Sequence, residues 1–195
     1  LEAATALDME AVVLASSINA MGASYQDAPA EIEYLPVDEA HPLTPRDPYA
    51  LGKYTAEGIA DGFGRRPDTP QIASLRYPWV ATGEELRERY AEADRSFAGL
   101  REGRWNPRSV CFSYLHMADG ASVARRAFEA EFSGHETFWT VAADTSADVR
   151  TEELVEEFYP DIEAREEFLD YEGLISIDKA HTLLDWEPEH SWRDL

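Results

Sequence analysis

Short apolar runs of strand length alternate along this chain with helix-length segments, and that alternation restricts the fold more than any other feature. Ala11 to Ser16 is an apolar run bounded by polar residues, as a buried parallel strand should be. A proline- and acid-rich connection follows from Ala28 to Pro48, and then a helix with Asp47 as N-cap and Pro48 at its first position, ending near Gly62 and Gly64. Gln71 to Tyr77 reads as the next strand, 84–103 as a charged helix leading through a Trp105-Asn106-Pro107 turn, and VCFSYL (110–115) as a strand. A helix over Ala121 to Phe132 capped by Asp119 or Ser122, a strand over Thr137 to Ala142 and helices over Thr151 to Phe158 and Ser176 to Leu184 complete the pattern. Strands joined by helical crossovers predict an α/β protein with a mainly parallel sheet.

The charge balance excludes some partners. With 39 acidic and 17 basic residues the formal net charge is −22, and the acids are spread between apolar positions. No basic patch exists to neutralise phosphates, so nucleic acid is not an expected partner. Such a surface repels itself at low salt and is screened near 1 M salt, where the Debye length falls to about 3 Å. Only two of the 17 basic residues are lysines, Lys53 and Lys179. Acid excess with scarce lysine predicts a cytoplasmic protein of a salt-accumulating halophile. Cys111 is the sole cysteine, so no intrachain disulfide can form. No apolar run reaches membrane length, and no signal-peptide pattern is visible.

One of those lysines carries the chemistry. Tyr49 and Lys53 are four residues apart on the expected helix and share a face. A neighbouring ammonium favours the phenolate, so the pair could exchange a proton with a substrate hydroxyl while the carbon gives hydride to a nicotinamide. A second donor is needed for the substrate oxygen, and Ser16 and Ser17, at the C-terminal end of a parallel strand, stand where open α/β sheets place their sites. The bland reading is a packed tyrosine and a surface lysine.

Taken in order, VVLASSINAMG, PYALGKYTAE, LRYPWVATG, YLHMADGASVARRAFEA, TFWTVAADTS and SIDKAHTLLDWEP resemble successive landmarks of the extended short-chain dehydrogenase/reductases, the NAD-dependent epimerase/dehydratase family. The resemblance implies a Rossmann-like doubly wound parallel sheet with a small substrate-binding subdomain. It implies residues 1–82 as the C-terminal part of the NAD(P)-binding domain, and 83–195 as mostly substrate-binding, with returning Rossmann elements near 111–132. It makes Tyr49 the acid/base, Lys53 its tuner and ribose ligand, Ser17 the ligand of the reacting oxygen and Ser16 its less critical neighbour. Tyr77 and Pro78 would line the nicotinamide pocket, with NAD or NADP as cofactor. A homodimer through the helices at 1–8 and 48–62 is a further implication.

The chain departs from the family in places. The glycine-rich pyrophosphate turn occurs nowhere in it, which reads as an absent N-terminal half. The alternative function is therefore a binding relative or an inactive fragment. Trp79 and Phe112 stand where nucleotide-sugar enzymes often have asparagine and arginine, and the pattern from Ser16 to Tyr25 is closer to uronate or aldose dehydrogenases. The expected function is that of an NAD(P)-dependent sugar or nucleotide-sugar epimerase, dehydratase or dehydrogenase, with a free sugar or sugar acid an open option for the substrate; Trp79 would reach it, and Arg76 or Arg87 would be the cation for an acid. The histidines show no metal-ligand spacing, and His116 is expected to orient the turn before a helix. Glu152, Glu153, Glu156 and Glu157 read as a solvated helix face, Cys111 as a buried apolar residue, and Trp139 and Trp186 as core.

Overall fold

A computed structural model describes residues 1–23, 31–102 and 107–195; Tyr25 and the Trp105-Asn106 turn lie outside the described residues. The elements in chain order are α1 (Glu2–Ala6), β1 (Ala11–Ser17), β2 (Tyr34–Leu35), α2 (Pro48–Gly64), β3 (Gln71–Tyr77), β4 (Val80–Ala81), α3 (Gly83–Leu86), α4 (Phe97–Glu102), β5 (Leu115–His116), α5 (Met117–Glu129), β6 (His135–Trp139), α6 (Thr151–Phe158), β7 (Glu163–Ala164) and α7 (Asp178–Leu184). Strands β1, β3 and β6 form a parallel sheet in the order β1-β3-β6, with Ser17 opposite Tyr77 and Leu75 opposite Phe138.

Alternation along these strands divides the sheet chemically. Ala73, Leu75 and Phe138 pack with Val123 and Ala127 of α5 and with Ala180 and Leu184 of α7. Ser16, Ser74 and Arg76 point to the other face, where α2 lies across the strands. Helices thus cover both faces, and the architecture is a Rossmann-type doubly wound α/β sheet. A second core joins Ile18, Met21, Leu35 and Val37 to Phe112, Trp139, Leu154 and Ile175, so it spans the division expected at residue 82.

The start of α2 follows its sequence signal. The Asp47 carboxylate accepts from the Tyr49 and Ala50 amides at 2.9 and 3.0 Å, and Pro48 occupies a position with no amide to satisfy. Trp139 and Trp186 are buried, as is Cys111, whose thiol burial pushes up to about 12.

Helix α5 spans Met117–Glu129 with His116 as its N-cap, not Ala121 to Phe132 behind Asp119 or Ser122, and two further expectations are corrected. The helix expected over 84–103 is broken: α3, closed by a Thr82–Glu85 capping box, widens into a π turn at Arg87–Ala91, and α4 begins only at Phe97. Burial of Tyr90 against Tyr114 and Trp192, and an Asp94 carboxylate that takes the Ser96 amide at 3.0 Å, outweigh the local helical pattern. Gly99 is required there, because a Cβ would stand 2.0 Å from the Asp94 carbonyl oxygen. The strand expected over 110–115 reduces to β5. A 3-10 turn at Pro107–Val110 precedes it, and Cys111 and Phe112 take φ values of 51° and 54°, which send Val110, Cys111, Phe112 and Tyr114 all into the interior.

Candidate active site

Strand β1 ends in Ser17, which begins a 3-10 turn over Ile18–Met21. The Ser17 hydroxyl oxygen accepts from the Asn19 amide at 3.2 Å and from Asn19 Nδ2 at 3.3 Å. A hydroxyl has two lone pairs and one proton, so Asn19 fixes Ser17 as a donor toward the cavity in front of it. That cavity, about 430 Å³, is bounded by Ser17 and Asn19 on one side, by Tyr49 from the first turn of α2, and by Pro78, Trp79 and Arg89 across from them.

Lys53, one turn further along α2, donates to the Ala15 carbonyl at 2.7 Å, and its ammonium lies 5.6 Å from the centre of the Tyr49 ring. An ammonium has three donors, so two beyond this bond are available to ligand hydroxyls. Tyr49 is about half exposed (48%) on the cavity rim. Pro78 reaches the cavity, while the Tyr77 side chain turns to α5, where its hydroxyl donates to the Gly120 carbonyl at 3.0 Å and burial pushes its pKa up to about 12.

Of the nominated residues, Ser16, Lys53, Arg76, Tyr77 and Arg87 do not line the cavity. Arg76, expected as a cation for substrate, is 4% exposed on the α2 face of the sheet, where Nε and Nη2 donate to the two Glu57 carboxylate oxygens at 3.0 and 2.8 Å. Ser16 donates to the same carboxylate at 2.5 Å, since neighbouring strand residues point to opposite faces.

Sequence reasoning missed Asn19 and Arg89. Asn19 is 9% exposed, and its Oδ1 is buried without a hydrogen-bond partner. Arg89 stacks on the Trp79 ring at 4.4 Å, and Tyr90 meets the same ring edge-on at 5.9 Å. Behind this wall the C-terminal segment is tied down. Trp192 packs on Tyr90 at 6.0 Å, and the buried Asp119 carboxylate accepts from the Glu189 amide, the His190 amide and His190 Nδ1.

His116, Asp119 and His190 bring potential ligand atoms within 4.8 Å of one another. Their geometry is spent on other bonds. His116 Nδ1 accepts from the Ala118 amide at the start of α5, so the neutral ring carries its proton on Nε2 and has no lone pair left for a cation. The two rings stack at 4.2 Å, which points their edges past each other. Among the described residues no helix is long and apolar enough to cross a membrane.

The fold is the Rossmann-type α/β fold of the solved structures that resemble it. MoeE5, solved with UDP-glucuronic acid and NAD, is similar over 98% of this chain and 64% of its own, with a TM-score of 0.60 and 16% identity. A UDP-glucuronic acid 4-epimerase from Bacillus cereus, solved with NAD, is similar over 99% of this chain and 61% of its own, at a TM-score of 0.59 and 18% identity. Uronate dehydrogenase from Agrobacterium tumefaciens is similar over 99% of this chain and 52% of its own, at 0.58 and 14%. In sequence, a protein from Methanocaldococcus jannaschii that carries the name of a UDP-glucose 4-epimerase is 46% identical over 70 residues, 36% of this chain and 20% of its own. No protein-family model matches the chain. The chain therefore spans a fifth of that sequence relative and between half and two thirds of these structural neighbours.

Proposed function

We propose that this chain carries the acid–base half of an NAD(P)-dependent sugar oxidoreductase or epimerase of the extended short-chain type. The observation that carries the reading is that Ser17 and Tyr49 open onto one cavity while Lys53 is tied to the strand that ends in Ser17. Bound nicotinamide would supply the hydride acceptor. The residues present fit such a group: Lys53 keeps two donors for ribose hydroxyls, and Asn19 offers a buried, unpartnered acceptor.

In this reading Tyr49 exchanges a proton at its phenolic oxygen, and the Lys53 ammonium favours the deprotonated form. Ser17, held as a donor by Asn19, orients the substrate oxygen. Trp79 offers an apolar face to a sugar ring, and Arg89 a positive charge to an acidic one. Residues 1–82 thus hold the reacting groups and, through Pro78 and Trp79, part of the facing wall, to which 83–195 add Arg89 and Tyr90. The NAD complexes among the structural neighbours support NAD, and the uronate- and UDP-sugar-acting ones support a sugar substrate.

The test on the full-length protein is NAD(P)H formation with D-glucuronate, D-glucose, UDP-glucose and UDP-glucuronate, together with epimer analysis of the UDP-sugars, because epimerisation returns the hydride and leaves no net NAD(P)H. Tyr49→Phe should cut turnover by about 10²–10⁴-fold and leave cofactor affinity within about twofold. Unchanged turnover would remove Tyr49 from the reaction, and no measurable affinity for either dinucleotide would favour the binding-protein reading.

The same reading extends to assembly and setting. Leu51, Tyr54 and Ile59 are exposed on α2 and Leu7 follows α1, so these two helices would form a homodimer face. A monomeric Ile59→Arg variant beside a dimeric parent would support this in sedimentation, and a monomeric parent would end it. The charge of −22 supports a salt-rich cytoplasm as the setting.

A further inference from the structure

Helix α2 meets the sheet almost without apolar packing, because its buried residues are Ala50, Glu57 and Ala60. Polar side chains take over that role. Tyr49, Lys53, Glu57 and Asp61 recur every four residues and so share one stripe of the helix. Lys53 bonds the Ala15 carbonyl of β1, and Glu57 takes Ser16 of β1 and both forks of Arg76 of β3. Asp61 Oδ1 lies 2.6 Å from Nδ1 of His135 on β6, whose Nε2 is 2.8 Å from the Ser74 hydroxyl of β3. All three strands are bonded to this stripe.

We propose that Glu57 is a positioning residue for the acid–base pair: by holding Ser16 and Arg76 it fixes the rotation and axial register of α2, and so sets where Tyr49 and Lys53 stand against Ser17. The inference rests on the roles proposed above for those three residues. Alanines alone would let a helix slide or turn on the sheet, whereas a bidentate carboxylate–guanidinium pair accepts one geometry. The Arg76 and Glu57 side chains are only 4% and 7% exposed, so solvent and salt screen the pair little. Arg76 is itself immobilised, with its guanidinium carbon 4.6 Å from the centre of the Trp139 ring. Asp61 is 55% exposed and forms a looser anchor. The lever is short at both ends. Glu57 is one helical turn from Lys53, and Ser16, which it holds, is one peptide from Ser17.

The chain's two lysines make a direct readout possible. In protein labelled with 15N-lysine, the Lys53 ammonium is assigned by its loss in Lys53→Arg. Its protons should exchange slowly in the parent because one is held by the Ala15 carbonyl. In Glu57→Gln and in Ser16→Ala the Lys53 signal should shift and its protons should exchange faster, whereas Thr55→Ala, on the exposed side of α2, should leave it in place. A folded Glu57→Gln with an unmoved Lys53 signal overturns the proposal. Should Glu57→Gln not fold, Ser16→Ala decides in the same way, because it keeps the ion pair and removes only the β1 bond.

Kinetics of the full-length protein provide the second arm. Glu57→Gln should lower kcat by about tenfold or more and, because Lys53 also serves the ribose, raise KM for NAD, and Glu57→Asp should recover part of both losses. A kcat that falls only in proportion to lost folded protein overturns the positioning role. If the parent turns over none of the sugars, the functional reading fails, and the lysine signal still decides whether Glu57 holds the pair.

Discussion

The Lys53 ammonium donates to the carbonyl of Ala15 at 2.7 Å, so a helix side chain is bound to the strand two residues before that strand ends in Ser17. The bond uses one of the three donors of a compact ammonium. A guanidinium carries the same charge on a larger planar fork and cannot occupy that position without displacing the backbone or the ligand.

Lys53→Arg should therefore lower kcat by about 100-fold or more even though the charge is kept, a loss in the range of a displaced acid–base group. Steady-state turnover of the full-length protein measures it. Retention of activity within about twofold would show that charge alone suffices and that the bond to Ala15 is incidental.

Asn19 makes a second prediction because it occupies both lone pairs of the Ser17 hydroxyl, with its amide and with Nδ2. Asn19→Ala leaves the backbone bond and frees one lone pair, so the hydroxyl is no longer restricted to donating. The expected loss in kcat/KM is roughly five- to tenfold, the worth of one hydrogen bond. Loss equal to that of Ser17→Ala would instead mean that Asn19 acts on the ligand directly, through its buried Oδ1.

Where local chemistry decides an element, the amino-acid pattern shows it. Strands β1 and β3 stand within a residue of their apolar runs, and Asp47-Pro48 marks the first turn of α2. The places of Tyr49 and Lys53 one turn apart on α2, and of Ser17 at the end of β1, were legible for the same reason, since a four-residue spacing and a strand end are local facts. The partners of Arg76 and Ser16 were not. Nothing in a strand pattern says that a glutamate on a helix crossing it will take both residues. Arg89 was hidden by the π turn at Arg87–Ala91, because a face read at 3.6 residues per turn is wrong once the turn widens. The same holds for 110–114, where two left-handed residues replace an extended strand to fill the core.

His116 should make stability depend on acid. Burial, and then the nearby His190 ring, hold its pKa below the ordinary 6.5, with Asp119 opposing them. Just below pH 6.5 the unfolded chain therefore binds more protons at this site than the folded one, so stability falls as pH drops through 6.5 toward the depressed folded value. His116→Asn keeps an oxygen able to cap α5 and removes the titration. Its urea midpoint should fall less than the parent's between about pH 7.5 and about pH 5.5. Parallel pH profiles would assign the acid sensitivity to other groups.

The last prediction concerns salt, where two effects of opposite sign compete. Exposed pairs such as Arg46–Glu31, Arg66–Glu2 and Arg125–Glu129 lose attraction when salt is added, and each contributes about 0–1 kcal/mol at most. Against them stand 39 acidic side chains and a net charge of −22 on a chain of 195 residues. Repulsion among those acids acts over many pairs and fades as the Debye length shrinks from about 10 Å at 0.1 M to about 3 Å at 1 M. The repulsion should win. The urea midpoint should rise steadily with KCl over this range, most of the gain coming at the lower concentrations, where the Debye length changes most. The buried Glu57–Arg76 pair, shielded from solvent, should not reverse the trend. A midpoint that is flat or falls with KCl would show that the acids are already neutralised by local pairing, and would withdraw the support that the composition gives to a salt-rich setting.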